Sequence, residues 1–162
     1  MDVRYIALIS NNIVDTTLDM AHEDISELIE YISHMVYSYD ITNLWLDYSN
    51  TDSLDMDFGE MNTVKELTAS NNYISVLPKE IGKLKRLDFL SLSHNEISVL
   101  PDDIGKLVNL TELNVSYNNL TRLPLSIGNL KKLRYLNIKG NNVIEADIER
   151  IKKMLPRCKI LN

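Results

Sequence analysis

The chain has 162 residues, 44% hydrophobic and 25% charged, which suits one folded domain with a sizeable core and leaves no room for two. No apolar run approaches the roughly 20 residues that cross a bilayer, so a membrane span is not expected. Charge is split along the chain: residues 1–63 hold 13 acids and one base, and residues 64–162 hold 10 acids and 16 bases.

The lysines of the basic part are spread and interleaved with acids, so nucleic-acid binding is not expected. The N-terminal "MDVRYIALISNNIVDTT" has one base and a broken apolar run, a poor secretory signal. A single cysteine, Cys158, excludes an internal disulfide and points to a reducing compartment. A cytoplasmic location is therefore expected, inside a host cell if the protein is an effector.

Three segments of 23 residues follow one another without a gap: "VKELTASNNYISVLPKEIGKLKR" (64–86), "LDFLSLSHNEISVLPDDIGKLVN" (87–109) and "LTELNVSYNNLTRLPLSIGNLKK" (110–132). Each has apolar residues at its first, fourth, sixth and eleventh places and Asn at its ninth, followed by Leu-Pro, Ile-Gly and Leu. Such a period means stacked units, each burying a face against its neighbours. The template sets the register for the rest of the chain.

Residues 3–40 read as an atypical N-terminal repeat or cap. Val3, Ile6 and Leu8 fill the strand places and Asn11 the ninth. An amphipathic helix is predicted over 25–39, with Ile25, Leu28, Ile29, Ile32, Met35 and Val36 on one face. Asp24 is its predicted N-cap, with Glu27 three residues later. The alternative is a separate helical cap with "VRYIALI" packed elsewhere. If the first strand opens the sheet, Arg4–Ile9 leaves an unpaired edge that invites self-association.

Residues 41–63 form a degenerate repeat. Ile41, Leu44 and Leu46 keep the strand places, Ser49 takes the ninth, and Asp55 replaces the proline. Leu54, Phe58, Gly59 and Met61 follow in register.

In the three regular repeats, 64–132, the alternation gives short strands whose first, fourth and sixth residues point inward, as for Leu87, Leu90 and Leu92. The ninth-place amides Asn72, Asn95 and Asn118, with Asn141 and Asn11, are predicted to form a buried ladder bridging the turns of neighbouring units. Pro78, Pro101 and Pro124 restrict the return side, and Gly82, Gly105 and Gly128 are expected to permit tight bends.

Residues 133–162 hold the last repeat and a cap. "LRYLNIKGNNV" keeps the pattern, then Ile144, Ile148, Ile151 and Leu155 recur at helical spacing up to Pro156. A short strand with a packed Cys158 follows.

These residues resemble the leucine-rich repeat in the LPxxIGxLxxL variant of Ras-suppressor, scribble-type and many bacterial repeat proteins. The resemblance implies an α/β solenoid, a short horseshoe of about six repeats with one curved parallel sheet. A long helix in the N-terminal repeat and a helix-plus-strand C-terminal cap complete the expected architecture.

No catalytic constellation is found. His22, His34 and His94 lie apart, no phosphate loop or nucleophile elbow occurs, and no metal or cofactor is expected. The expected function is non-catalytic protein–protein interaction through the concave sheet. The predicted partner-binding residues are Trp45, Tyr48, Asp47, Phe89, His94, Tyr117, Tyr135 and Glu112, aromatics and acids that fall on that face by register. A viral or bacterial host-interaction factor and a self-associating structural module are the alternative readings.

Overall fold

A computed structural model describes residues 13–162 apart from Asp15 and Glu27. The strands lie in one eight-stranded sheet in sequence order: β1 (Ile13–Val14), β2 (Thr17–Asp19), β3 (Asn43–Trp45), β4 (Glu66–Thr68), β5 (Phe89–Ser91), β6 (Glu112–Asn114), β7 (Tyr135–Asn137) and β8 (Lys159–Leu161). β1 and β2 are antiparallel, and every later neighbour is parallel. Register advances by one repeat per strand, so Glu66, Phe89, Glu112 and Tyr135 lie side by side.

Strand alternation explains which face is buried. Leu18, Leu44, Leu67, Leu90, Leu113 and Leu136, the middle residues of β2 to β7, are buried. The first-place residues Ile41, Val64, Leu87, Leu110 and Leu133 join them in one core. Residues on either side of each leucine point to the open face of the sheet.

The return side of the regular repeats consists of one-turn 3₁₀ helices at Lys79–Lys83, Asp102–Lys106 and Leu125–Asn129. Each starts after an extended proline, Pro78, Pro101 or Pro124, whose fixed φ suits the entry to a helical turn. The glycines act differently from expectation. None of Gly82, Gly105 and Gly128 has a left-handed backbone, so no tight bend requires them. A Cβ on Gly82 would lie 2.7 Å from the Asp103 carbonyl oxygen of the next turn. One on Gly105 would press on the Ser126 carbonyl, and one on Gly128 on the Met154 side chain. Close stacking of successive turns is what excludes a side chain.

The asparagine ladder forms. Asn95 Nδ2 donates to the Ala69 carbonyl at 2.8 Å and to Leu92 at 3.1 Å, while its Oδ1 accepts from the Ile74 amide at 3.0 Å. Asn118 and Asn141 repeat these bonds one unit further on. Asn72 donates to the Leu46 carbonyl at 2.7 Å and accepts from the Ser49 amide at 2.9 Å. Asn11 lies outside the described residues. At Ser49 the hydroxyl donates to the Met20 carbonyl at 2.7 Å, and the Ser49 carbonyl takes the Ile25 amide at 3.3 Å. The Ser49 backbone carbonyl thus takes the amide that the Asn Oδ1 takes in the regular repeats.

The front differs from the sequence reading. The expected opening strand of Val3, Ile6 and Leu8, and the edge Arg4–Ile9, lie outside the described residues. The strand that pairs with β3 is β2, with Thr17 opposite Asn43 and Asp19 opposite Trp45, an offset of 26 residues (17 to 43). Leu18 and Met20 supply its core residues. The helix α1 spans Ile29–Ser38 and buries Ile32, Met35 and Val36, while Ile25 is buried ahead of it. Asp24 is not its cap. Its carboxylate accepts from the Ser26 amide at 3.1 Å and hydroxyl at 2.7 Å, closing a turn before the helix.

The C-terminal helix α2 spans Glu145–Met154 and covers the core with Ile148 and Ile151. Ile144, predicted to join that face, is exposed at the helix N-cap, while Leu155 is buried. Cys158 is half-buried against the core, and burial pushes its thiol pKa up, which disfavours the reactive thiolate. Asp147 occupies the place where the regular repeats have proline, and its side chain is buried. Its carboxylate accepts from Arg122 Nε at 2.8 Å and the Leu123 amide at 2.9 Å, with Arg150 alongside. The Arg122 hydrogen bond, followed by that of Leu123, holds the Asp147 carboxyl below the ordinary carboxylate range.

A carboxyl depressed in the folded state stabilises above its unfolded pKa, and that contribution is lost as pH falls through its folded value. Urea midpoints should therefore fall for the wild type as pH drops below about 4. In Asp147→Asn the midpoint at pH 7 should be lower and the acid-induced fall smaller. Identical pH profiles for the two proteins would remove Asp147 from the account.

Candidate partner-binding face

Four rows of side chains cross the open face, because each strand stacks on the next in the same register. The third-place row reads Asn43, Glu66, Phe89, Glu112, Tyr135 and then Lys159 of β8. The fifth-place row reads Asp19, Trp45, Thr68, Ser91, Asn114 and Asn137. The seventh place holds Asp47, Ser70, Ser93, Ser116 and Lys139, and the eighth Tyr48, Asn71, His94, Tyr117 and Gly140.

The eighth place has a conformation of its own. Tyr48, Asn71, His94 and Tyr117 have φ of 57°, 58°, 55° and 53°, and Gly140 has 73°. Left-handed backbone costs about 1–2 kcal/mol for a residue with a Cβ. Here it turns the chain at the strand end so that the ninth-place amide points inward. His22, 26 residues before Tyr48, has φ 67° and continues the row. The His22 and Tyr48 rings stack at 4.8 Å between centroids, and those of His94 and Tyr117 at 4.4 Å. Tyr117 lies over Gly140, where an added Cβ would meet its ring at 2.5 Å.

Between the third and eighth rows runs a floor of small polar residues knitted by hydrogen bonds. Asp47 accepts from the Thr68 hydroxyl at 2.6 Å and from the Ser70 amide at 2.5 Å. Ser70 and Ser91 hydroxyls lie 2.9 Å apart, Asn114 donates to Ser91 at 3.3 Å, and Ser116 donates to Asn114 at 2.8 Å. Ser70, Ser91, Ser93 and Ser116 are buried although they are on the open side.

All eight predicted residues fall on these rows, but they divide in two. Trp45 is half-buried, and its indole N–H donates to Glu66 Oε1 at 3.0 Å. Asp47 spends both oxygens on the floor network. These two are partly satisfied within the chain. Tyr48, Tyr117 and Tyr135 are 55%, 44% and 48% exposed, and His94 is exposed beside them. Phe89, Glu112 and Tyr135 line a depression of about 240 Å³ that Asn114, Asn137 and Leu161 complete. The exposed apolar area therefore lies toward the C-terminal half more than around Trp45. His22 and Asp19 were missed, because the 26-residue offset hides them from a period of 23. The signal was Leu18 and Met20 alternating as Leu44 and Leu46 do.

Among the described residues, no group of His, Cys, Asp and Glu side chains could hold a metal ion, and no helix is long and apolar enough to cross a membrane. Cations collect away from this face, on the edge where Lys65, Arg86 and Lys132 line a depression of about 490 Å³ with Asp88, Asn109 and Thr111.

The family model of the leucine-rich repeat region matches residues 43–155. The chain is a leucine-rich repeat protein. A leucine-rich repeat protein of Leptospira interrogans is 32% identical, with a TM-score of 0.64, over 77% of this chain and 38% of its own. The plant peptide hormone receptor RGFR1, solved in complex with RGF2, is 31% identical with a TM-score of 0.58, over 74% of this chain and 20% of its own. Internalin C2 of Listeria monocytogenes shares the fold at 15% identity, with a TM-score of 0.68, over 88% of this chain and 59% of its own. This leucine-rich repeat protein thus spans less than two thirds of each of these structures. The search of curated proteins finds no match.

Proposed function

We propose that this leucine-rich repeat protein binds a protein partner through the open, concave side of its sheet and performs no chemistry on it. The observation that carries the reading is the set of exposed rings on that face, Tyr48, Tyr117 and Tyr135, above a floor whose hydrogen bonds are already made. Rigid aromatic side chains bury large areas at low entropic cost, and interfaces concentrate their energy in such anchors. A floor that is internally bonded holds the rings in place before binding, which lowers the ordering cost. The plant receptor, similar over most of this chain, is one case of such a repeat array with a bound partner.

Affinity capture followed by titration of the recovered partner tests the reading. Tyr117→Ala with Tyr135→Ala should weaken binding at least about tenfold, or about 1.4 kcal/mol, with far-ultraviolet circular dichroism unchanged. Equal recovery of the same partner by wild type and double variant would place the interface elsewhere.

A further inference from the structure

The third-place row contains an arrangement that neither the fold nor the hydrogen-bond network uses. Glu112 sits between Phe89 and Tyr135 on adjacent strands, its cross-strand neighbours on both sides. Adjacent strands lie about 4.8 Å apart, so an aromatic residue stands on each side of Glu112 within side-chain reach. Glu112 is half-buried, and its carboxylate makes no hydrogen bond or ion pair, unlike Glu66 in the same row, which accepts from Trp45. The three side chains line the depression of about 240 Å³. The nearest cation in the row is Lys159, beyond Tyr135, and it forms no ion pair.

A half-buried carboxylate between two aromatic residues is complementary to a cation that is itself flat and weakly hydrated. Guanidinium meets that description: it pairs with carboxylate through two parallel N–H donors and stacks on aromatic rings. An ammonium is compact and more strongly hydrated, and gives up more on entering such a site. Asn137, on the strand beyond Glu112, adds an amide at the rim of the depression. The depression is large enough for one long side chain and too small for a folded element.

We propose that the Phe89–Glu112–Tyr135 depression receives an arginine side chain of the protein partner. This deepens the reading of the open face as a protein-binding surface and rests on it. The site selects the partner by one cation at a defined place, while the eighth-place rings supply area.

The test is a titration of ¹⁵N-labelled protein with acetyl-Gly-Arg-Gly-amide, using acetyl-Gly-citrulline-Gly-amide as the uncharged isostere. A single side chain should bind in the millimolar range, with amide shifts confined to residues 89–91, 112–114 and 135–137. The citrulline peptide should bind at least about fivefold more weakly, and Glu112→Gln should weaken the arginine peptide by a similar factor with an otherwise unchanged spectrum. Glu60→Gln, on the return side, should leave it unaffected. Equal shifts from the two peptides, shifts mapping outside the depression, or an unaffected Glu112→Gln would each overturn the proposal. A captured partner that survives Glu112→Gln but is lost with Tyr117→Ala would overturn the arginine site and leave the binding face standing. One that survives both would overturn the face as well.

Discussion

Replacing Asn95 with alanine is expected to cost about 2–4 kcal/mol, among the larger effects a single substitution produces. The truncation strands the Ile74 amide and the Ala69 carbonyl inside the core, while the Leu92 carbonyl keeps its bond from Asn118 Nδ2 at 2.9 Å. Each unsatisfied group costs about 1–3 kcal/mol, and partial relaxation keeps the total below their sum. The protein contains its own control at Ser49, where a hydroxyl keeps the donor and the backbone supplies the acceptor. Asn95→Ser should therefore recover part of the loss, provided the Asn95 carbonyl can reach the Ile74 amide. Urea unfolding of wild type, Asn95→Ser and Asn95→Ala should give midpoints in that order. An alanine variant within 1 kcal/mol of wild type would show that the ladder is not what binds one repeat to the next.

The second large effect is expected at Gly105. A methyl group there would press on the Ser126 carbonyl oxygen, a backbone atom that cannot rotate aside. The turns at 102–106 and 125–129 would have to separate, loosening Ile104 and Ile127 in the core beneath them. Overpacking of this kind costs about 1–3 kcal/mol, and the rigid neighbour puts Gly105→Ala at the upper end. Gly59→Ala is the comparison. Its Cβ would meet the Asp57 carboxylate at 2.9 Å, the mobile end of an exposed side chain. That variant should lose less than about 1 kcal/mol, since such a side chain moves aside. Equal losses at the two sites, read from thermal midpoints, would mean that glycine serves the backbone and not the stacking.

Much of this architecture was legible because repetition averages out local ambiguity. The core leucines and the amide ladder follow from places that recur in register, and the C-terminal helix from apolar residues at helical spacing. The degenerate repeat was legible for the same reason: Ile41, Leu44 and Leu46 kept the spacing after Asn and Pro were lost. Strand β2 was not, because its offset of 26 breaks the period and its three residues carry little signal alone. The role of the glycines was hidden too, since sequence gives their spacing but not the approach of the next turn.

On the open side of the sheet, register placed the eight candidates in the rows that cross it, and failed at the front, where Asp19 and His22 lie. It could not say which side chains were already engaged. Trp45 and Glu112 stand alike in the pattern, yet Trp45 is bonded to Glu66 and the Glu112 carboxylate makes no such bond. Hydrogen bonding between neighbouring strands depends on rotamers, and a sequence pattern does not carry them.

The repeat at 41–63 differs from the three regular ones behind it in lacking both the ladder amide and the 3₁₀ turn. In a stack where each unit touches only its neighbours, the time order of assembly follows local cohesion. Folding should start within 64–132 and spread in both directions, with the front units joining last. Native-state hydrogen exchange would record the same gradient in reverse. The molecule should unzip from its acidic end, leaving the residues around Phe89, Glu112 and Tyr135 among the last to open.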